Sequence, residues 1–419
     1  MKIFAAQLAA AEAALAEILT MQQPADAVLH HFFRAHPQLG QNDRAFVAET
    51  VFGVLRRRYT LEHAFGVTTA PRRLVLAFLN RVAGISVRAL EPLLKRGDAQ
   101  WLAAGAARTA AELPLEVAAE LPAWLVARLA AELPRAEILA LGHALAQPAP
   151  LDLRVNALLA TRDEVLAQFA REGIAAQPTP YAPLGIRLID KPTLHRHPLF
   201  TAGKIEVQDE GSQLLCLLVA PKRREMVVDF CAGAGGKTLA LGALMHSQGR
   251  LYAFDVSEKR LERLKPRLRR SELSNVHPQR IRDENDTRIK RLAGKIDRVL
   301  VDAPCSGFGT LRRNPDLKWR QTEAGIAELA AKQRAILAAA ATLLKPGGRL
   351  VYATCSFLRA ENQDIVAAFL AIHPSFRLVP ANAVLAQQKI ALDTGEYLQL
   401  WPHHHGCDGF FAAVMECTA

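Results

Sequence analysis

The residues best placed to do chemistry lie in two short stretches, Val301 to Asp316 (VDAPCSGFGTLRRNPD) and Leu350 to Phe357 (LVYATCSF). In the first, the apolar run Val299 to Val301 is short enough for a buried strand. It leads into an acid, a proline, a cysteine and two glycines, the composition of a loop built to hold a ligand. In an open α/β sheet, ligands sit beyond the carboxyl ends of the strands. Asp302 and Cys305 are therefore expected to project into such a crevice, with Arg312 and Arg313 close behind. A lone cysteine in a turn reads more naturally as a buried structural thiol. Here a second one, Cys355, follows a Lys-Pro-Gly-Gly turn (Lys345 to Gly348) and another short β-rich run. Two thiols and a carboxylate are expected to face one crevice.

A third stretch, Cys231 to Thr238 (CAGAGGKT), sits between a strand and a helix. Gly233, Gly235 and Gly236 let the backbone turn tightly and approach a ligand, and the following helix N-terminus offers unpaired N–H groups to an anion. A phosphate-binding P-loop fails at its first required glycine, where Cys231 stands. A dinucleotide fingerprint is weakened at its sixth position, where Thr238 replaces Gly or Ala. The remaining reading is S-adenosylmethionine. Its carboxylate would lie against the loop Cys231, Ala232, Gly233, Ala234, Gly235, Gly236 and Lys237. Asp255, at the end of the next strand, would accept from its ribose hydroxyls, Asp283 would meet the adenine amino group, and Asp302 would lie across the crevice.

Holding these stretches together calls for an α/β domain with a doubly wound sheet, and the chain after Val207 alternates strand and helix accordingly. Strands are expected at Glu225–Phe230, Arg250–Phe254, Val276–Ile281, Arg298–Val301, Arg349–Tyr352 and Gly409–Met415, with a charged helix from Ser257 to Arg270 that Pro266 kinks. Residues 221–419 form this catalytic domain. Residues 145–220 are expected to form a small α+β domain, with β character at 151–156 and 186–190 and a helix from Thr161 to Glu172. Residues 1–135 are rich in Ala and Leu with helical periodicity and form an all-α domain. In its first helix Phe4, Leu8, Ala11, Leu15 and Ile18 share one face, and Gln7, Glu12 and Glu17 argue against a signal peptide. A second pair of helices flanks a polar turn at Gln38 to Asp43. The later helix is expected to end in Arg56, Arg57 and Arg58, where cations suit its dipole or meet phosphate.

The whole chain, 419 residues with a formal charge of +11 and a pI near 9.6, suits a polyanionic partner. From Ser257 to Arg298 fourteen Lys or Arg face seven Asp or Glu, and part of that run is an ordinary solvated helix face, with Glu262 paired to Lys259 or Lys265. Six cysteines without a C-x-x-C pair fit a reducing compartment, the cytoplasm. Cys216, Cys231, Cys407 and Cys417 are read as structural. No run of about 18 apolar residues marks a membrane span. Consecutive His403, His404 and His405 cannot all face one ion and lie in a surface loop, so no metal is expected.

CAGAGGKT, DAPCSGFGTLRRNPD and YATCS, in that order and spacing, closely resemble the motifs of the RNA cytosine-5 methyltransferases. Val207 to Gln213 (VQDEGSQ) and Asp408 to Phe411 (DGFF) resemble the family's flanking motifs, and Ala234 stands where the family usually has proline. The N-terminal NDRAFVAETVFGVLRRR resembles the NusB-like RNA-binding domain that accompanies small-subunit ribosomal RNA methyltransferases of the B type. The resemblance implies a Rossmann-like S-adenosylmethionine-dependent methyltransferase domain, preceded by an RRM-like α+β domain. It makes Cys355 the nucleophile, Cys305 the group that releases the product, Asp302 the holder of the cytosine edge, and Lys237 a group that lowers the thiol or orients the base. C5 of cytosine is a poor nucleophile until a thiolate adds at C6, which is why covalent catalysis suits the reaction. The target base must be unpaired or extruded. The implied partner is RNA, small-subunit ribosomal RNA before transfer RNA, with the protein acting as a monomer and touching no membrane. A catalytically idle assembly factor is the rival of another class, and both thiols argue against it. A small-molecule methyltransferase leaves those thiols, the extra domains and the charge unexplained.

Overall fold

The computed structural model describes residues 3–107 and 113–418. The helical expectation at 108–112 lies outside the described residues. The chain divides into two compact units: Met1–Pro148 with Thr310–Glu323, and Ala149–Gly309 with Ala324–Ala419.

The first unit is helical. Its opening helix, Ala5–Ile18, buries Leu8, Ala11, Ala14, Leu15 and Ile18. Phe4, expected on that face, is instead the exposed N-cap residue. Pro24, Pro114, Pro122 and Pro134 each stand at a helix N-cap, and Pro71 begins a helix, where a missing N–H costs nothing. The helix Gln41–Phe65 is longer than expected and carries Arg56, Arg57 and Arg58 mid-helix. The dipole reading of that triplet therefore falls, because apolar Leu61, Ala64 and Phe65 continue the buried stripe beyond it. Gly53 is required there, since a Cβ would lie 2.2 Å from the Phe78 ring of helix Pro71–Arg81.

The segment 310–323 completes this unit. Trp319 stacks on Tyr59 at 4.5 Å between ring centroids, and Arg58 lies over the same indole at 4.8 Å. Arg312, expected close behind the crevice, is buried in this unit, and its carbonyl accepts from Arg56 Nη2.

The second unit holds two sheets. The smaller comprises β1 (Leu151–Val155), β2 (Ala176–Pro178), β3 (Gly185–Leu188) and β4 (Ile205–Val207), antiparallel in the order β2-β3-β1-β4. Helices Arg162–Arg171 and Pro198–Thr201 separate the strands into βαββαβ, a ferredoxin-like topology. The first of these helices starts at a capping box of Thr161 and Glu164, and its Phe169 and Val165 cover Leu153, Val155 and Ile186.

The larger sheet contains β5 (Met226–Asp229), β6 (Arg250–Asp255), β7 (Val276–Arg280), β8 (Ile296–Asp302), β9 (Leu344–Thr354), β10 (Phe376–Val379), β11 (Leu398–Leu400) and β12 (Phe410–Cys417). Its order is β10-β12-β9-β8-β5-β6-β7, with β11 paired to β12. Strands β5 to β9 are parallel, β12 runs antiparallel to β9, and β10 pairs antiparallel with β12 and so points the same way as β5 to β9. Apolar residues pack on both faces, so these strands read as continuous hydrophobic runs. This is a Rossmann-like fold. The expected Lys-Pro-Gly-Gly turn lies inside β9, next to an irregularity in its register with β8. Strands β10 and β11 went unforeseen, and His403 to His405 form one helical turn, Pro402–His405, in place of a loop. Among the described residues, no helix is long and apolar enough to cross a membrane.

Candidate active site

In the larger sheet, β5 is flanked by β6 on one side and β8 on the other. The chain therefore leaves in opposite directions at this point, and a crevice opens beyond the carboxyl ends of these strands. A cavity of about 800 Å³ lies there.

Its first wall is the loop after β5. Cys231, Ala232, Gly233, Ala234, Gly236 and Lys237 line the cavity, but Gly235 does not. Gly235 has φ +84°, and a Cβ on it would meet Leu264 at 2.1 Å. Its glycine lets helix Gly236–Leu244 start close against Leu264 of helix Glu258–Arg270. Gly233, at φ +57°, has open space where a Cβ would point. Asp255, at the end of β6, holds this loop: its carboxylate accepts from Gly233 N at 2.8 Å and Ser257 N at 2.7 Å.

Asp283 stands apart from the cavity lining. Its carboxylate accepts from Asn285 N and Arg282 Nε, each at 2.9 Å, while Ile281 and Glu284 line the cavity in its place. The turn after β7 directs successive side chains differently, which strand spacing does not reveal.

The reactive wall comes from β8 and β9. Cys305 Sγ and Cys355 Sγ lie 3.4 Å apart, so the two loops do bring both thiols to one place. Glycine makes this possible. Gly309 N donates to Cys355 O at 2.9 Å, and Gly409 N donates to Gly309 O at 2.8 Å. A Cβ on Gly309 would fall 2.0 Å from Gly409 O, so only bare backbone fits.

Beside the thiols, Lys237 Nζ donates to Asp302 Oδ2 at 2.7 Å. Burial alone would lower the Lys237 ammonium, but the Asp302 charge and hydrogen bond outweigh it and hold the group above the usual lysine value. Cys305 is held well above the ordinary thiol value by its hydrogen bond with Cys355, by burial, and by the charges of Cys355 and Glu361. Burial, followed by the Asp302 charge, also raises Cys231, an unreactive thiol in the cavity wall. Cys216, Cys407 and Cys417 are buried thiols, as expected of structural cysteines.

Asp229 was missed by sequence reasoning, although it ends β5 as Asp255 ends β6 and Asp302 ends β8. It lines the cavity, and its Oδ2 accepts from Thr238 Oγ1 at 2.7 Å while Oδ1 has no partner. Burial pushes it up to about 7. In the basic run after Ser257, Arg267 and Arg270 grip Glu206, Arg298 grips Glu225, and Arg260 lines the cavity. Chemically, the site can carry a thiol addition with a second, protonated thiol at hand and a fixed cation beside both.

Residues 216–416 match the family model of the 16S rRNA methyltransferase RsmB/F, and residues 121–194 match the ferredoxin-like domain of the same RsmF/B-like methyltransferases. A ribosomal RNA small subunit methyltransferase B of Sodalis glossinidius is 40% identical over 292 residues, 70% of this chain and 64% of that protein. A probable ribosomal RNA small subunit methyltransferase B of Synechocystis is 39% identical over 269 residues, 64% of this chain and 60% of that protein. The match thus spans less than two thirds of these relatives' length. Among solved structures, the protein PH0851 superposes with a TM-score of 0.79 at 26% identity, covering 99% of both chains. NSun6 from Pyrococcus horikoshii shares the fold, with a TM-score of 0.63 at 20% identity, covering 71% of this chain and 98% of its own.

Proposed function

From a chain that belongs to the RsmB/F methyltransferase family through residues 121–194 and 216–416, we propose an S-adenosylmethionine-dependent RNA cytosine-C5 methyltransferase that acts on small-subunit ribosomal RNA in the cytoplasm. The observation that carries this reading is the pair of thiols 3.4 Å apart beside the Lys237–Asp302 pair, in one cavity. One thiol suffices for addition. The second is explained by a reaction that must also undo the bond.

The cavity suits the cofactor's chemistry. The unpartnered Asp229 Oδ1 is a buried acceptor for an ammonium, Gly233 leaves room at the loop, and Asp255 has lone pairs left for hydroxyl donors. S-adenosylmethionine supplies the methyl group. Cys355, as thiolate, adds to C6 of an extruded cytosine and makes C5 nucleophilic, while Asp302 holds the base edge, with Lys237 fixing that carboxylate. Once C5 is methylated, Cys305, having given up its own proton to solvent, takes the C5 proton as thiolate; the C5–H pair restores the C5=C6 double bond and the C6–S pair leaves on sulfur, returning the Cys355 thiolate and 5-methylcytosine.

The test is methyl transfer from labelled S-adenosylmethionine to RNA from a strain lacking the protein, with wild type beside Cys355→Ala and Cys305→Ala. Wild type is expected to transfer, Cys355→Ala to be inert, and Cys305→Ala to be trapped on RNA as a covalent adduct. Label in transfer RNA would move the substrate. Cofactor binding without transfer to naked RNA or small-subunit particles would overturn the catalytic reading in favour of an assembly factor.

A further inference from the structure

One buried carboxylate belongs to neither the cavity nor the expected motifs. Glu361 is fully buried, and among the described residues no cation pairs with it. Its Oε1 accepts from Ser306 N at 2.8 Å and Gln333 Nε2 at 3.1 Å. Its Oε2 accepts from Ser306 Oγ at 2.5 Å and Ser356 Oγ at 2.6 Å. Ser306 follows Cys305 in the chain, and Ser356 follows Cys355. A carboxylate is an acceptor only, so it takes the single proton of each serine hydroxyl and fixes both rotors. Gln333 adds a third tie, donating also to Pro304 O at 2.9 Å, on the other side of Cys305. Glu361 itself is held where Tyr352 Oη donates to its carbonyl at 2.6 Å.

A buried charge met only by neutral donors is costly unless each bond is made. Packing alone would be served better by an apolar residue. What the carboxylate achieves here is to grip the residue after each thiol with one rigid group. We propose that Glu361 is a positioning residue that locks the Cys305 and Cys355 loops into a single geometry, so that addition and release act on the same carbon framework without loop movement. The inference rests on the two-thiol reading above. The same carboxylate is one of the groups that raise Cys305, which makes its thiolate, once formed, the stronger base toward the C5 proton.

The test uses the full-length protein. Glu361→Gln keeps the side-chain volume and loses the charge, and a displacement of this kind costs on the order of 100-fold in turnover, with the cofactor KM unchanged. The two serines separate positioning from general loosening. Ser306→Ala is expected to slow release and raise the fraction of enzyme trapped on RNA as a denaturant-stable adduct, whereas Ser356→Ala slows addition and lowers that fraction. These variants carry the test if Glu361→Gln fails to fold. A readout independent of methyl transfer is the pH profile of Cys305 alkylation, followed by peptide mass. Removing the nearby negative charge in Glu361→Gln shifts that profile to lower pH. Wild-type turnover in Glu361→Gln, serine variants that lose turnover without moving the adduct fraction, or an unshifted alkylation profile would each overturn the inference. Failure of wild type itself to transfer methyl groups would instead remove the two-thiol reading, with the alkylation arm still reporting on Glu361.

Discussion

Two lysine–carboxylate pairs, one in each unit, behave in opposite ways. In the sheet unit, Lys237 and Asp302 are 13% and 28% exposed and touch at 2.7 Å. The partner's charge overcomes burial, and the ammonium is held up. In the helical unit, Lys318 and Glu120 are 4% and 2% exposed, and their charged ends are 3.8 Å apart. Burial dominates: Lys318 falls to about 8, and Glu120 is raised. Backbone groups do the work of a partner instead. Lys318 Nζ donates to Arg56 O and Glu120 O at 2.9 Å each, and the Glu120 carboxylate accepts from Tyr59 N and Thr60 N at 3.1 Å each. Contact distance and access to solvent decide which pair keeps its charge for use at a site and which serves as an anchor.

The contrast is broken most directly by substituting each lysine with methionine. Lys237→Met should cut methyl transfer by about 100-fold or more in the labelled assay, while its urea midpoint moves little, because Asp302 remains partly solvated. Lys318→Met should do the reverse. It leaves two carbonyls without their donor, costing about 1–3 kcal/mol of unfolding free energy in urea titration, with turnover of the folded fraction near wild type.

Alkaline stability sharpens the difference. A folded Lys318 at about 8 lies below the unfolded value near 10.4. Between these values the unfolded chain binds the extra proton, so this group makes stability rise with pH, by at most about 1.4 kcal/mol per pH unit. Lys237, raised in the fold, stays protonated there, and the unfolded chain loses that proton only toward the top of the window, so this group gives no rise and makes stability fall as pH nears about 10.4. Subtracting the Lys318→Met stability curve from wild type should reveal the rise, and subtracting Lys237→Met should not. The smallest effect is the coupling within the anchor. Lys318→Met combined with Glu120→Gln should differ from the sum of the single changes by about 0.5 kcal/mol or more, and additivity would mean that backbone bonds alone hold the segment.

Much of the site was legible because its chemistry is local to strand ends. A short apolar run followed by Asp, Pro and Cys, or by Thr and Cys, announces a loop beyond a parallel strand, and the two thiols do meet there. Asp229 carried the same signal and was passed over. Spacing places a residue in a loop without saying what it faces. A Cβ on Gly235 would meet Leu264, and the Asp283 carboxylate accepts from Asn285 N within its own turn. The helix carrying Arg56 to Arg58 was cut short because a run of cations resembles a helix end, whereas burial on the opposite side carried it on to Phe65.

The sequence by itself determined the strand–loop–helix order, the glycine loop, the two thiols and the acids at strand ends, since each depends on a few adjacent residues. Only the tertiary structure decided the rest. Glu361 reaches Ser306 across 55 positions, Gly309 needs the bare backbone of Gly409, and Lys318 finds Glu120 across 198. Such pairings leave no periodicity in the chain, because they arise where separate elements pack and buried polar groups must find partners wherever the fold supplies them.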